Sequence, residues 1–329
     1  MQHSVITFGE AMIRLSPPNF QRLEQSRSLE VKVGGAELNT AVALCRLGRS
    51  AAWVSRLTAN PLGRLIVNQA REAGVGTEHV LWTENDRIGL YFLEFGAAPR
   101  ASSVLYDRKS SAIAGIKPGQ VHWNQIFTGA RWFHVTGITP ALSPTAAATT
   151  REALLAARAA NLQVSIDLNY RAKLWSQDEA HQWMHEFMSF CDVLITTEED
   201  TEKVLRITGA NYEEAAHKLT QAYPNLKVVA ITLRENPLVW RNSWTAIAYA
   251  QGKLYKTRTY ELEIVDRLGA GDSFAAGLIH GLLDGDVQLG LDFGVAASAL
   301  KHSIPGDFDW VTREEVEALI KGGGLRISR

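Results

Sequence analysis

From Arg131 onward the chain alternates extended apolar runs with helix-patterned ones, and this rhythm constrains the fold more than any other feature. The extended runs lie at about 131–136, 162–167, 192–196 and 226–232. Helical runs at 145–160, 178–190, 198–208 and 211–223 separate them. A crossover long enough to hold a helix is what parallel strand pairing requires. The spacing therefore predicts an α/β architecture with a mostly parallel sheet. Ligands on such sheets sit beyond the carboxyl ends of the strands. The run LQVSID continues into LNYR, which sets Asn169, Tyr170 and Arg171 on that rim.

The first half starts in the same style. Val5 to Phe8 reads as a short strand, Glu37 to Leu47 as a helix stopped by Gly48, Ala51 to Arg56 as a strand and Pro61 to Glu72 as a helix. Between these, Met12 to Val33 is polar, and Pro17-Pro18 forbids a helix there. Leu29, Val31 and Val33 alternate with Glu30 and Lys32, the signal of a half-buried strand. Ile88 to Phe95 and Ser103 to Tyr106 flank a Gly-Ala-Ala-Pro loop and read as a hairpin-like pair. With the strand at 29–33 they would make a small sheet separate from the main one. Helices at 287–302 and 312–320 end the pattern, and Lys321 to Gly324 reads as a frayed tail.

Composition excludes several classes. Of the 329 residues, 46% are apolar, enough for a sizeable core, and the formal net charge of −1 argues against a nucleic-acid or membrane surface as partner. No apolar run reaches the ~18 residues of a membrane span, and MQHSVITFGEAM lacks the layout of a signal peptide. Cys45 and Cys191 lie in core-like segments, so reduced thiols and a cytoplasmic setting are expected.

The chemistry concentrates between Glu263 and Asp284. Ile264 and Val265 end an extended run, Gly269-Ala270-Gly271 forms a turn, and Asp272 opens an apolar helix from Ser273 to Leu283. Such a turn aims backbone N–H groups into one space beside a positive helix end, which makes an anion site. An acid at the rim of a phosphate cradle repels phosphate. It is explained either as a helix cap or as the base that takes a proton from an attacking hydroxyl. The dinucleotide fingerprint fails at Phe274, and no G-x-x-x-x-G-K-[ST] loop occurs.

DRLGAGDSFAAG resembles the C-terminal signature of the ribokinase-like (PfkB) sugar kinases, D-[TR]-x-G-[AG]-G-D. VGGAELNTAVALCRLG resembles their N-terminal signature. The resemblance implies a three-layer α/β sandwich with a mostly parallel central sheet and a small β-sheet lid. It implies one kinase domain over 1–329, with the lid built from about 12–33 and 88–108. It assigns the phosphate cradle to Gly269, Ala270 and Gly271 and the catalytic base to Asp272. Gly34, Gly35, Ala36 and Asn39 would contact the sugar.

FGEAMIRLSPP, GLYFLE, VLYDR, FHVTGITPALS, DLNYRAKLWS and HSIPGDF are similar to the 2-keto-3-deoxygluconate (KDG) kinase branch. That likeness adds Tyr91, Tyr106, Arg108, Arg171 and Asp307 as substrate residues, with the two arginines holding the acid end. Arginine suits a carboxylate because its planar fork donates two parallel bonds. Asn169, Arg171, Thr232, Arg234, Gly269 and Gly271 are the expected ATP contacts. Magnesium is expected near Glu199 and Asp200, although Thr197 stands where many members carry Asn. The loop TLRENPLVWRNSW lacks the common K-x-G-x-x-G. The implied reaction is ATP-dependent phosphorylation of KDG to the 6-phosphate by a homo-oligomer. A kinase of another sugar or sugar acid, fructokinase-like, and a non-catalytic sugar-acid-binding protein are the competing readings.

Overall fold

The structure, a computed structural model, describes residues 2–238 and 240–323, with the side chains of 234–239 outside that description. Its main sheet has ten strands. Val80–Thr83, Ala51–Thr58, Val5–Phe8, Trp132–Thr136, Gln163–Asp167, Val193–Thr196 and Val228–Leu238 lie side by side and parallel. Arg241–Ala250, Lys253–Lys256 and Tyr260–Glu263 extend this sheet with antiparallel pairing.

Alternate residues of the strands feed two cores. Val5, Trp53, Val193 and Ala230 face one side, packed with Leu38, Phe274 and Val295 from helices. Ile6, Val54, Leu194 and Val229 face the other, packed with Leu154 and Met184. A parallel sheet covered on both faces explains why these strands are apolar at nearly every position. The helices Ala36–Arg46, Ala270–Leu282 and Val287–Lys301 cover one face, and Pro144–Ala159 and Gln177–Met188 cover the other. The expected three-layer sandwich is what the chain forms.

A second sheet of four strands stands apart, in the order Glu30–Gly34, Met12–Ser16, Leu90–Glu94, Ser103–Asp107. Leu90–Glu94 and Ser103–Asp107 are the antiparallel pair read from the sequence. Met12–Ser16 is a strand the sequence reading missed, because Pro17-Pro18 and the polar stretch after it dominate that segment. It is the interior strand that joins the hairpin to Glu30–Gly34. The expected inward face of 29–33 also needs correction. Val33 is buried, but Leu29 and Val31 are 38% and 48% exposed.

Other boundaries move for local reasons. The helical run at 198–208 breaks into a turn, Glu198–Asp200, and a wider π turn, Thr201–Leu205, ended by Arg206 in the left-handed region. The helix read as Ser273 to Leu283 starts earlier, at Ala270, with Gly269 as its cap. No helix among the described residues is long and apolar enough to cross a membrane.

Candidate active site

Gly269 has φ 81°, ψ −6°, a left-handed conformation that side chains disfavour. A Cβ added there would lie 2.0 Å from the backbone oxygen of Asp307. Both facts require glycine. The helix then runs Ala270–Leu282, so Asp272 is its third residue and not its cap. The capping explanation of Asp272 is thereby removed. Its Oδ2 instead accepts a 2.7 Å bond from Asn39 Nδ2, across from the N-terminal turn of helix Ala36–Arg46. Burial pushes the Asp272 carboxyl up to about 6. The bond from Asn39 and the positive charge of Arg171 hold it below what burial alone would give.

Two cavities meet over this turn. The smaller, about 110 Å³, is lined by Gly34, Gly35, Ala36, Asn39, Tyr91, Tyr106, Arg108, Arg171, Asp272 and Asp307, every substrate residue expected from the sequence, together with Glu10, Met12, Ile138, Asn169, Leu268 and Gly269. The larger, about 450 Å³, is lined by Asn169, Arg171, Thr232, Glu199, Asp200, Ala270 and Gly271 among others. Asn169 and Arg171 border both. A Cβ on Gly271 would meet nothing within 4 Å, so the floor of the larger cavity is open there.

Several expected residues already have partners. Asp307 accepts bonds from Arg14 Nη1, 2.8 Å, and from the Tyr91 hydroxyl. Tyr91 and Asp307 thus face the cavity as a bonded pair, not as two separate contacts. Arg108 donates from Nε, 2.8 Å, and from Nη2 to the buried Glu10 carboxylate, whose other oxygen takes the Ser111 hydroxyl. Its guanidinium also lies 5.5 Å from the Tyr106 ring centroid. Gly34 is held open by Asp307, since a Cβ there would lie 2.2 Å from Asp307 Oδ2. The Arg234 side chain lies outside the described residues.

The larger cavity carries the acids. Asp167, Glu198, Glu199 and Asp200 line it. Burial, with Asp272 and Asp200 nearby, raises the Asp167 carboxyl well above the usual range. Glu199 is ion-paired with Lys203 one helical turn on. Thr197, in place of the family Asn, accepts a bond from Asp200 N and caps the short turn. Among the described residues no cluster of three or more acid, histidine or thiol side chains converges on a bare ion. Magnesium bound mainly through water and phosphate oxygens needs only one or two carboxylates. Asp167 and Asp200 fit that requirement better than the engaged Glu199. The buried Asn169 Oδ1 has no hydrogen-bond partner and borders the same space.

Sequence reasoning missed Glu10, Arg14, Asp167, Asp266 and Arg267. Asp167 ends a core strand immediately before LNYR, so the rim argument that found Asn169 covers it as well. Arg267 lines the larger cavity from within DRLGAGD. Glu10 and Arg14 gave no periodic signal, because they belong to the unrecognised strand region.

A family model for pfkB carbohydrate kinases matches residues 2–307. A 2-dehydro-3-deoxygalactonokinase of Haloferax volcanii is 39% identical over 330 residues, covering 100% of both chains. The crystal structure of a 2-dehydro-3-deoxygluconokinase from Thermotoga maritima superposes with a TM-score of 0.95 at 45% identity, covering 98% of this chain and 99% of that one. A 5-dehydro-2-deoxygluconokinase of Shouchella clausii is 28% identical, covering 97% of this chain and 96% of its own.

Proposed function

The chain belongs to the pfkB family of carbohydrate kinases, and from that premise we propose that it phosphorylates 2-dehydro-3-deoxy-D-gluconate at its 6-hydroxyl, with ATP as donor. The observation that carries this reading is the junction of the cavities. Ala270 and Gly271 line the larger, Gly269 and Asp272 line the smaller, and one helix N-terminus serves both. A donor phosphate in one and an acceptor hydroxyl in the other would meet over that turn.

The roles follow from charge. Asp272, ionised above about pH 6, takes the proton of the attacking hydroxyl. The first N–H groups of the helix have no partner within it, and they stabilise the charge that gathers on the transferred phosphoryl oxygens. Asn39 fixes one carboxylate oxygen of Asp272 and leaves the other for the proton. Arg171, exposed and bordering both cavities, offers charge to the acid end of the sugar or to phosphate. Arg108, just past the strand Ser103–Asp107 and paired with Glu10, adds an oriented guanidinium. Asp167 and Asp200, with water and phosphate oxygens, would hold magnesium, which supplies charge neutralisation on the phosphates when bound. A further cavity of about 360 Å³ shares Tyr212 and Leu233 with the larger one; Ile247 and Leu254 give it an apolar side for a nucleobase, and Asn211, Glu213, Lys256 and three threonines make up its polar side. The small sheet acts as a lid that keeps water from competing with the sugar.

The experiment is an ADP-release assay with a panel of substrates: KDG, its galacto epimer, 5-dehydro-2-deoxygluconate, fructose and ribose. KDG should give the highest kcat/KM. A preference for fructose or ribose would refute the acid assignment, and a preference for the galacto epimer would move the assignment to that acid. No ADP release with any of them would refute the reading.

A further inference from the structure

Arg14 is among the largest fully buried side chains of the protein, 1% exposed, on a strand of the small sheet. Its Nη2 lies 2.8 Å from Asp266 Oδ2, its Nη1 donates to Asp307 Oδ1 at 2.8 Å, and its Nε donates to Ser16 Oγ at 3.0 Å. Phe95 covers the guanidinium, 5.3 Å from its ring centroid. Both carboxylates belong to the walls of the phosphate turn. Asp266 opens that turn, with Oδ1 taking Leu268 N at 3.0 Å and Oδ2 taking Gly306 N at 2.9 Å. Asp307 presses its backbone oxygen against Gly269 and its carboxylate against Gly34. Tyr91, paired in register with Arg14 on the neighbouring strand, reaches the same Asp307 carboxylate.

We propose that Arg14 is a positioning residue for phosphoryl transfer, fastening the small sheet to both walls of the Gly269–Asp272 turn so that the turn's N–H groups are set before any ligand arrives. Asp266, Asp307 and Asp309 are all buried in this region, and Lys301, buried beside them, is the other cation facing them. Lys301 Nζ donates to Ile304 O at 3.0 Å. Arg14 is the small-sheet side chain that joins Asp266 to Asp307, whereas Tyr91 reaches Asp307 alone. Removing Arg14 takes from Asp266 and Asp307 the guanidinium bonded to both, with the Lys301 ammonium still facing the group. Such a group relieves itself by taking up a proton or by moving apart. Either change frees the 302–309 loop and Tyr91, and with them the support beneath Gly269. The larger cavity shares Ala270, Gly271 and His302 with this region but draws most of its walls from elsewhere, among them Asp167, Asn169, Thr196, Thr232 and Trp244, so ATP binding depends on Arg14 less than turnover does.

The proposal rests on the reading of Gly269–Asp272 as the phosphate turn. Arg14→Met and Arg14→Lys test it. In Arg14→Met, kcat per folded molecule should fall by about 100-fold, the scale of a misplacement near 1 Å, while the Kd for ATP stays within about twofold. Arg14→Lys keeps one charge but cannot span both acids, and it should recover part of the loss. Hydrogen exchange without substrate supplies the second arm. The Leu268 and Gly306 amides, both bonded to Asp266, should exchange faster in Arg14→Lys, and those of Gln163–Asp167 should not change. That arm holds even if the sugar acid has been misassigned, and it serves if Arg14→Met does not fold. Full kcat in a folded Arg14→Met with a merely lowered Tm would overturn the proposal. So would unchanged exchange at Leu268 and Gly306.

Discussion

Replacing Asn39 by Leu should move the pH dependence of catalysis without removing the proposed base, Asp272. Asn39 Nδ2 donates to Asp272 Oδ2 at 2.7 Å in a buried setting. A hydrogen bond to a charged group contributes about 1.5–3 kcal/mol, and one pKa unit corresponds to about 1.36 kcal/mol. The full bond would therefore be worth about one to two units. Asp272 faces a cavity, so water replaces part of the bond, and about one unit is the expected change. The sign follows from which form is stabilised. Asn39 favours the ionised carboxylate, so its loss raises the pKa from about 6 to roughly 7. The base works only when ionised. The acid limb of kcat/KM should then move up by about one pH unit, with a plateau in both enzymes at high pH. An ADP-release assay between pH 5 and 9 measures this, and the ionisation of ATP cancels because it is common to both enzymes. An acid limb that stayed in place, or moved down, would show that Asp272 is not the titrating base.

Three further outcomes are expected. Asp272→Asn should lower kcat by about 10²–10⁴-fold yet raise stability near pH 7.5; the folded carboxyl titrates at about 6, above its ordinary 3.8, so stability is lost as pH rises through that window, and removing the charge returns on the order of 2 kcal/mol, read as a higher Tm. Gly269→Ala should unfold more readily, because a left-handed φ and a 2.0 Å approach to Asp307 O both oppose it, whereas Gly271→Ala should keep its Tm and lose turnover, since its methyl enters the open floor of the larger cavity. Arg108→Ala should raise KM for the sugar acid and leave KM for ATP nearly unchanged, while Arg171→Ala, which borders both cavities, should raise both constants; the reverse pattern would exchange their roles.

The sequence showed the central fold well, because parallel strands buried on both faces are long apolar runs and their helices keep the 3.6-residue period. It showed the antiparallel extension poorly. The stretch TLRENPLVWRNSW reads as one loop, but Val228–Leu238 continues as a strand through its first half and Arg241–Ala250 starts within its second, while Tyr260–Glu263 alternates half-buried with exposed residues. Met12–Ser16 was hidden for a different reason. Its central residue is a charged Arg14, which reads as surface, and only the distant Asp266 and Asp307 make its burial possible. Motif resemblance located the residues around the smaller cavity. It could not show that Tyr91 is bonded to Asp307 or Arg108 to Glu10, because those pairs span 216 and 98 positions of sequence.

Those pairings change how acid selectivity must be understood. Two arginines near the sugar suggest two charges awaiting a carboxylate. Arg108, however, is already neutralised by Glu10, whose side chain is 2% exposed. A substrate acid meeting Arg108 therefore gains a shared and oriented guanidinium, not an uncompensated one. It must also tolerate the Glu10 charge nearby, and like charges in a desolvated space oppose each other. Arg171 is different: it donates to the Tyr170 carbonyl, and the acids its charge acts on, Asp167, Asp200 and Asp272, are spread around the two cavities and not bonded to it as Glu10 is to Arg108. Because no single carboxylate fixes it, Arg171 is expected to give an acid more attraction than the Glu10-bound Arg108. The Glu10–Arg108–Ser111 unit supplies shape, fixing where the guanidinium plane lies and so which end of the sugar can lie against it. A neutral sugar would lose the first contribution and keep the second. Discrimination against neutral sugars should then weaken far more in Arg171→Ala than in a variant altered at Glu10.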